Sequence, residues 1–314
     1  MRPLLYAALA MCLLAVAAAP PPRDVIVDTD IGDDIDDAFA LALLLRSPEV
    51  RVDLITTSLG DTRLRARLVE RFLAAAGRRD IAVAAGPSTR PEARFTQRSW
   101  AAVTPPQTFP DAVGKALSLL RASPPGRYTL IALAPLTTVS AMIARDPVAF
   151  RRLARVVMMG GSIARGYGAR AGETSPTPSI EYNVRCDPAG LRALLAAGVP
   201  VEMMPLDATE IALDARARRR IFTAPTPLAP VLASLYEEWA KRNPWGRTPI
   251  VFDVVPAARL LRPATCAPVP MDIAVSAQGR TQPVAGPPNA SVCLHVDRAI
   301  VLGLLAQRLA PRPK

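Results

Sequence analysis

Residues 24–40, DVIVDTDIGDDIDDAFA, constrain the fold of this chain more than any other segment. The apolar run Val25–Val27 predicts a buried strand, and an apolar pattern of helical spacing begins at Ala38. Between them stand six aspartates within ten residues: Asp28, Asp30, Asp33, Asp34, Asp36 and Asp37. The segment therefore predicts a strand, a tight turn at Gly32 and a helix, which is the opening unit of an α/β sheet.

Carboxylates this close together repel one another unless a positive charge lies among them. In an open α/β sheet, binding sites form beyond the carboxyl ends of the strands, where this turn would lie. A hard divalent cation is the expected partner, and calcium or magnesium suits oxygen ligands better than zinc does. The alternative is a solvated acidic turn in which Asp36 and Asp37 favour the N-terminus of the helix.

Strand patterns alternate with helix patterns along the rest of the chain. Predicted strands cover residues 52–57, 81–83, 128–133, 156–159 and 199–204, followed by two edge strands within 271–296. Predicted helices cover residues 63–76, 112–121, 136–145, 188–197, 214–242 and 297–309, and predicted loops cover 88–110 and 162–180. This alternation predicts an α/β fold with an open, mostly parallel, Rossmann-like sheet, helices on both faces and a C-terminal edge hairpin.

The first residues have the pattern of a secretory signal. Arg2 precedes an apolar stretch, Leu4–Val16, which is followed by a run of alanines. The stretch is short for a membrane-spanning helix. We therefore expect cleavage near Ala19, so that residues 1–19 are a signal peptide and residues 20–314 form one domain. The mature protein is expected in the periplasm or outside the cell, without stable membrane insertion.

The basic residues give the chain a formal net charge of +11. Nearly all of them are Arg, and they are spread along the sequence. The one tight run, Arg218–Arg220, fits a solvated helix face better than a nucleic-acid contact. No nucleic-acid partner is therefore expected, although the basic charge can help to attract anions.

Three cysteines remain after the predicted cleavage: Cys186, Cys266 and Cys293. Export permits a disulfide, and three thiols leave one unpaired. Cys266 and Cys293 flank the predicted hairpin and are the favoured pair. The sequence has no Cys-x-x-Cys pattern and a single His, His295, so a zinc site is not expected.

Polar residues follow several predicted strands: Asp28 and Asp30, Asp61, Gly160–Gly161, Glu181–Asn183 and Asp253. With its Asp-Thr-Asp-x-Gly opening and the downstream Asp-Asp-Ala, the chain resembles the inosine–uridine-preferring nucleoside hydrolase family over roughly residues 24–300. The resemblance implies an open α/β sheet, a homodimer or homotetramer, one calcium ion per site and a small-molecule riboside substrate. It implies hydrolysis of the N-glycosidic bond of ribonucleosides, which gives ribose and the free base.

Carried onto this sequence residue by residue, the resemblance gives a calcium site. It implies that Asp30, Asp37 and Asp253 bind the ion with their carboxylates and that Leu133 binds it with its backbone carbonyl. Asp30 would also be the catalytic base that takes a proton from the attacking water. Asp28 would orient these ligands. Asp253 follows an apolar run, and the alternative for it is a helix cap.

The resemblance also gives residues for the sugar. It places Asp36, Glu181 and Asn183 on the ribose hydroxyls, and Met159 against the sugar ring. Carboxylates around the sugar would stabilise the positive charge that develops as the N-glycosidic bond breaks. For Glu181 and Asn183, the alternative is an ordinary polar loop.

Some positions depart from the family pattern. Ser175 stands where the family often has Asn, six residues before the Glu, and Asp61 stands where an Asn often follows the Gly. Both are retained as candidate substrate-binding residues. In the opening motif, Ile31 replaces a Pro, and Asp33–Asp34 look like an insertion.

The largest departure concerns the leaving base. Inosine–uridine-type members place a His before the late Asp as the acid, and here that residue is Phe252, a candidate substrate contact. His295 is expected to be structural in the edge hairpin. Purine-specific members instead stack the base between aromatic rings, and Trp100 is the first candidate, ahead of Trp239 and Trp245. Purines, or a base that leaves uncharged, are then expected to be favoured over uridine.

Two other functions are open. Phosphatases of the haloacid dehalogenase type also begin with a strand and Asp-x-Asp, but they need Thr or Val where Gly32 stands. The other is a secreted, calcium-dependent nucleoside-binding protein with little or no turnover, which Phe252 and Ser175 favour.

Overall fold

The computed structural model describes residues 21–311 except 104 and 106. The predicted signal peptide, residues 1–19, lies outside the described residues. The strands are β1 (Arg23–Thr29), β2 (Val50–Thr57), β3 (Ala82–Ala85), β4 (Tyr128–Ala132), β5 (Arg155–Met159), β6 (Gly166–Tyr167), β7 (Thr174–Ser175), β8 (Val201–Met204), β9 (Val269–Val275), β10 (Thr281–Val284) and β11 (Ala290–Val292).

The helices are α1 (Asp36–Leu45), α2 (Thr62–Ala75), α3 (Arg98–Ala102), α4 (Ala112–Ala122), α5 (Thr137–Arg145), α6 (Pro147–Phe150), α7 (Tyr182–Cys186), α8 (Pro188–Leu195), α9 (Leu206–Thr209), α10 (Ala215–Phe222), α11 (Ala229–Arg242), α12 (Val254–Leu261) and α13 (Arg298–Leu309). A short 3-10 turn spans Pro263–Thr265. Within the described residues, no helix has the length and apolar character needed to cross a membrane.

Nine strands form one sheet in the order β10-β9-β11-β8-β5-β4-β1-β2-β3. All neighbours from β11 to β3 run parallel, and β9 pairs antiparallel with both β10 and β11. β6 and β7 form a separate antiparallel ribbon. The predicted mostly parallel sheet with a C-terminal edge hairpin is therefore confirmed.

Side chains of the central strands enter two cores, one on each face of the sheet. In β1, Val25 and Val27 pack in one core and Ile26 packs in the other, as the two-residue period of a strand requires. Helices α1, α2, α11, α12 and α13 cover the first face, and α4, α5 and α8 cover the second. Because both faces are covered, the parallel strands are apolar along their length.

The strand order reverses at β1. From β1 the chain proceeds outward through β2 and β3, and it then crosses to β4 on the other side of β1. Beyond the carboxyl ends of β1 and β4 the two connections diverge and leave a crevice, which is the usual place for a site in an open α/β sheet. The aspartate-rich turn, residues 30–35, lies at this point.

The structure corrects several expected elements. The C-terminal region holds three strands, β9 to β11, instead of two edge strands. The predicted helix over 214–242 is two helices, because Pro225 and Pro227 in the intervening segment lack the backbone N–H groups that a continuous helix needs. The predicted loops also hold short elements, namely α3 and the β6–β7 ribbon.

Cys266 and Cys293 form a disulfide with a Cα–Cα distance of 6.0 Å, which confirms the favoured pair. Cys186 is free. The bond joins the segment after α12 to the residue that follows β11.

Candidate active site

A cavity of about 830 Å³ opens at the crevice beyond β1, β4 and β5. It brings together most of the residues that the sequence singles out, from five separate segments of the chain: Asp30, Asp36, Asp37, Leu133, Met159, Glu181, Asn183, Phe252 and Asp253. Four predicted site residues do not line it: Asp28, Asp61, Trp100 and Ser175.

Buried Arg65 fixes the backbone of the aspartate-rich turn. Its guanidinium donates to the backbone carbonyls of Asp30 and of Ile31, the latter at 3.0 Å, and its Nε donates to the carbonyl of Leu59 at 2.7 Å. Gly32 has φ of +120°, a conformation that favours glycine, and a Cβ there would clash with the ring of Phe95. These contacts hold the backbone of the turn without using its carboxylates, and Asp34 Oδ1 adds a hydrogen bond from the N–H of Ile35 at 2.7 Å.

Three carboxylates from two distant segments converge in the cavity. Asp36 and Asp37 open α1, Asp253 directly precedes α12, and one oxygen of each lies within 4.8 Å of the others. The backbone N–H of Asp253 donates to Asp36 Oδ2 at 3.2 Å, and Thr29 Oγ1 donates to Asp37. The side chain of Asp253 makes no capping hydrogen bond to α12, so its carboxylate is left facing the cavity.

The pKa values of these carboxyl groups are strongly displaced. Burial, followed by repulsion from neighbouring carboxylates, raises the pKa of Asp36, Asp37 and Asp253 well above the ordinary value. Burial raises the pKa of Asp30 to about 7, against the opposing charge of Arg65. A cation among these groups would reverse the balance, because it favours their ionised forms.

The donor set fits calcium. Every candidate ligand is an oxygen: the carboxylates of Asp30, Asp37 and Asp253 and the carbonyl of Leu133, with Asp36 beside them. Calcium accepts six to eight such ligands in flexible geometry. The Leu133 carbonyl already accepts a hydrogen bond from Asn183 Nδ2 at 2.7 Å, and its second lone pair is free to take part.

Asp28 lies beneath this cluster instead of in it. Its carboxylate accepts from Thr56 Oγ1 at 2.6 Å and from Ser58 Oγ at 2.8 Å, and its carbonyl accepts from the N–H of Leu133 at 2.9 Å. Asp28 thereby ties the end of β1 to the ends of β2 and β4. The orienting role that the resemblance implies for Asp28 stays a prediction.

The predicted sugar-binding residues form the facing wall. Glu181 is 2% exposed, and its carboxylate accepts from the N–H groups of Asn183 at 2.7 Å, Val184 at 3.0 Å and Gly161 at 3.0 Å. Asn183 Nδ2 lies 3.6 Å from Met159 Sδ. Glu181 is thus both the N-cap of α7 and a fixed acceptor at the cavity wall.

Two of the positions that depart from the family pattern, Asp61 and Ser175, have local structural roles. Asp61 is the N-cap of α2 and accepts from the N–H of Leu64 at 3.0 Å. Ser175 lies in the β6–β7 ribbon, where its Oγ accepts from the N–H of Thr177 at 3.1 Å. Neither side chain lines the cavity. Asp61 caps the start of α2, and Ser175 bonds within its own ribbon segment.

The structure also corrects the assignment of Trp100 to base stacking. Trp100 belongs to the hydrophobic core, with the guanidinium of Arg71 over its ring at 4.0 Å, and it does not line the cavity. Trp239 and Trp245 line the cavity in its place. Trp239 is 2% exposed and Trp245 is 77% exposed, so the first closes the cavity and the second stands at its mouth.

Tyr167 and Glu210 are among the lining residues that the sequence analysis does not indicate. Tyr167, in the Gly-rich loop after β5, meets the ring of Phe252 edge-on with centroids 6.2 Å apart. Glu210 lines the cavity and is 4% exposed. Glu210 follows β8 within six residues, so the rule that sites form beyond strand ends could have found it. His295 is exposed and lies outside the cavity lining.

Comparisons with known proteins agree with this geometry. The sequence profile of the inosine-uridine preferring nucleoside hydrolase family matches residues 25–302. The pyrimidine-specific ribonucleoside hydrolase RihA of Citrobacter koseri is 32% identical over 91% of this chain and 97% of its own length. The same-named protein of Salmonella typhimurium is 31% identical over the same shares.

Solved structures share the fold. A plant nucleoside hydrolase, PpNRh1, superposes with a TM-score of 0.79 at 22% identity, covering 93% of this chain and all of that one. A purine-preferring ribonucleoside hydrolase from Gardnerella vaginalis gives a TM-score of 0.75 at 19% identity, covering 92% and 98%. With an oxygen-lined cavity at the expected strand ends and a profile match over most of its length, the chain belongs to the inosine-uridine preferring nucleoside hydrolase family of N-glycosyl hydrolases.

Proposed function

We propose that this protein is an exported, calcium-dependent hydrolase that cleaves the N-glycosidic bond of ribonucleosides to give ribose and the free base. The observation that carries the proposal is the convergence of Asp36, Asp37 and Asp253 in the same cavity as Glu181 and Asn183. The N-terminal signal pattern supports export.

Asp30, Asp37, Asp253 and the Leu133 carbonyl would hold the calcium ion. When bound, calcium would fix the sugar diol and lower the pKa of a water molecule. Asp30 takes the proton of the attacking water, since its carboxylate lies in the cavity and its backbone is held by Arg65. The buried carboxylates around the sugar stabilise the positive charge that develops at its anomeric carbon.

The sugar hydroxyls are bound by Asp36, Glu181 and Asn183. Three backbone donors hold the Glu181 carboxylate, and Asn183 is held by the carbonyl of Leu133. These acceptors and donors are in place before the substrate arrives, so binding costs little ordering of side chains. Met159 packs against the sugar from the end of β5.

The sequence also favours a second function, a calcium-dependent nucleoside-binding protein with little or no turnover. The observation behind it is Phe252, which stands where the family resemblance implies an acid for the leaving base. The two functions predict different outcomes with the same ligands, because only the hydrolase releases free base.

The test is a panel of ribosides incubated with purified protein, with calcium and after its exhaustive removal. Curated relatives are named pyrimidine-specific and one structural neighbour purine-preferring, so the panel includes uridine, cytidine, inosine, adenosine and nicotinamide riboside. Calcium-dependent release of free base from at least one of them is the expected result. Calcium-dependent binding by calorimetry without release of base would establish the binding protein instead.

A further inference from the structure

The proposed reaction needs a proton for the departing base, and Phe252 cannot supply one. Phe252 directly precedes Asp253, one of the three converging carboxylates. Because Phe252 also lines the cavity, a base attached to a sugar held at Asp253 would lie within reach of Phe252. The residues that neighbour Phe252 from other segments decide how the base is assisted.

Glu210 is brought beside Phe252 by a short antiparallel pairing. The N–H of Val251 donates to the carbonyl of Ile211 at 2.9 Å, and Ala212 pairs with Ile250 in an isolated antiparallel bridge. Glu210 precedes Ile211 and Phe252 follows Val251, so both residues flank the same hydrogen-bonded pair at the same end.

The burial of Ile211 and Val251 shows which way the side chains of Glu210 and Phe252 point. Ile211 and Val251 are 1% and 0% exposed and belong to the hydrophobic core. Their neighbours along the chain turn the other way, toward the cavity, because successive side chains of an extended segment alternate. Glu210, Ile250 and Phe252 accordingly all line the cavity.

The segment around Glu210 is fixed from two sides. Arg298 on α13 donates to the backbone carbonyl of Glu210 at 3.1 Å and to that of Gly172 at 3.3 Å. The backbone N–H of Gly168 lies near the Glu210 carboxyl group and acts to lower its pKa. Gly168 follows Tyr167, whose ring meets Phe252 edge-on, so these residues form one continuous wall. We call Phe252, Tyr167 and Glu210 the base wall.

We propose that Glu210 is the catalytic acid that protonates the leaving base, an inference that rests on the proposed hydrolase function. As the bond between the anomeric carbon and the base nitrogen breaks, its electron pair goes to the base. The Glu210 carboxyl gives its proton to a ring nitrogen or oxygen of the base. Water adds to the anomeric carbon and loses a proton to Asp30, and proton exchange with solvent restores both carboxyl groups.

The environment of Glu210 suits an acid that works near neutral pH. Burial raises the pKa of Glu210 to about 7, while the backbone N–H of Gly168 and the Arg298 charge act in the opposite direction. The other titratable group in the base wall is Tyr167, whose pKa is raised by burial and by the charges of Glu181 and Glu210. A substantial fraction of Glu210 is therefore protonated near neutral pH, as a general acid requires.

The test compares Glu210→Gln with wild type on two kinds of ribosides. Nucleosides need a proton on the leaving base, whereas 4-nitrophenyl riboside has a leaving group that departs as a stable anion. We expect Glu210→Gln to lower kcat on the best nucleoside by at least about 100-fold and to leave 4-nitrophenyl riboside within about threefold of wild type. The alkaline limb of the nucleoside pH profile should also disappear. Glu173→Gln, an exposed glutamate outside the cavity lining, is the matched control.

Each other outcome has a definite meaning. An unchanged nucleoside rate in Glu210→Gln would show that Glu210 is not the acid, while the hydrolase function stands. An equal loss on both substrates would assign Glu210 a structural or sugar-binding role and overturn the proposal. If wild-type protein with calcium cleaves neither substrate, the hydrolase function itself fails, and the acid role of Glu210 fails with it.

Discussion

The backbone N–H of Asp253 donates to Asp36 Oδ2 at 3.2 Å, although 217 positions separate the two residues in sequence. This hydrogen bond joins the first residue of α1 to the residue that precedes α12. The two carboxylates meet only when both segments are packed on the sheet. The proposed calcium site is therefore a property of the folded chain, and calcium should stabilise that fold.

Removal of calcium should abolish activity and lower the melting temperature, and added calcium should restore both. An ion that binds only the folded protein stabilises it by about 2.7 kcal/mol at 100 times its Kd. Activity assays and calorimetry on chelator-treated protein, with the residual metal measured by elemental analysis, test this. Full activity in a sample without metal would contradict the calcium mechanism.

Asp30→Asn should separate the role of base from that of ligand. The amide keeps an oxygen for the metal but cannot accept a proton, so turnover should fall by about 100-fold or more while calcium still binds. Asp37→Ala and Asp253→Ala should instead weaken calcium binding in titration calorimetry. Asp80→Asn, whose carboxylate pairs with Arg78 at the surface, is the control. Near wild-type turnover in Asp30→Asn would assign the base to another residue.

Deoxyribonucleosides should be poor substrates. Asp36, Glu181 and Asn183 are assigned to the sugar hydroxyls, and a missing hydroxyl leaves one hydrogen-bonding position of such a buried polar group unfilled. We expect kcat/KM for 2′-deoxyadenosine to be at least about 100-fold below that for adenosine. Steady-state kinetics on matched pairs of nucleosides measure the ratio. Equal kcat/KM for the ribonucleoside and the deoxyribonucleoside would contradict the assignment of these residues to the sugar hydroxyls.

Trp100 and Trp245 should differ, the first being structural and the second facing the substrate. Trp100 packs in the core under Arg71, so Trp100→Ala should lower the free energy of unfolding by about 3 kcal/mol. Trp245 stands exposed at the cavity mouth under Arg94, so Trp245→Ala should leave the melting temperature unchanged and raise KM. Thermal melts and steady-state kinetics on both variants distinguish the structural role from the substrate-facing role. A stable Trp100→Ala protein with raised KM would restore the original stacking assignment.

The buried carboxyl of Glu210 should make stability depend on pH. Its folded pKa of about 7 lies above the ordinary value of 4.5, so its stabilising contribution is complete below about pH 4.5 and is lost as the pH rises through 7. The melting temperature of Glu210→Gln relative to wild type should therefore rise between about pH 5 and pH 8. Thermal melts across that range measure the difference. A constant difference would show that Glu210 keeps an ordinary pKa in the folded protein.

The central sheet can be predicted from the sequence because the apolar residues of its strands show that both faces are buried. Val25, Ile26 and Val27 are apolar on both faces, and the structure buries all three between two helical layers. The C-terminal region was predicted less well. β11 has only three residues and pairs with strands on both sides, so its short pattern gives no sign of where it inserts.

For the site, the strand-end rule indicates Asp30 and Asp253, but Glu210 is missed, and so are residues that loops bring in. Asp30 and Asp253 stand beside strong apolar patterns, whereas Tyr167 lies in a Gly-rich loop with no period of its own. Trp100 was misplaced because an aromatic residue in a loop gives no sign of whether it faces the core or a ligand. Arg71 and the surrounding apolar side chains determine that it faces the core.

The position of β11 affects when the C-terminal strands can join the sheet during synthesis. β9 and β10 are synthesised first, yet in the described structure they reach the parallel sheet through β11, which lies between β9 and β8. Thr281 of β10 exchanges two hydrogen bonds of 2.9 Å with the backbone of Ser162, at the start of the loop that carries Tyr167. A nascent chain that ends before residue 290 would therefore lack the strand through which this hairpin joins the sheet, and the hairpin could be held only by its direct contacts, such as those of Thr281 with Ser162 and of Val275 and Ser276 with Arg192 on α8.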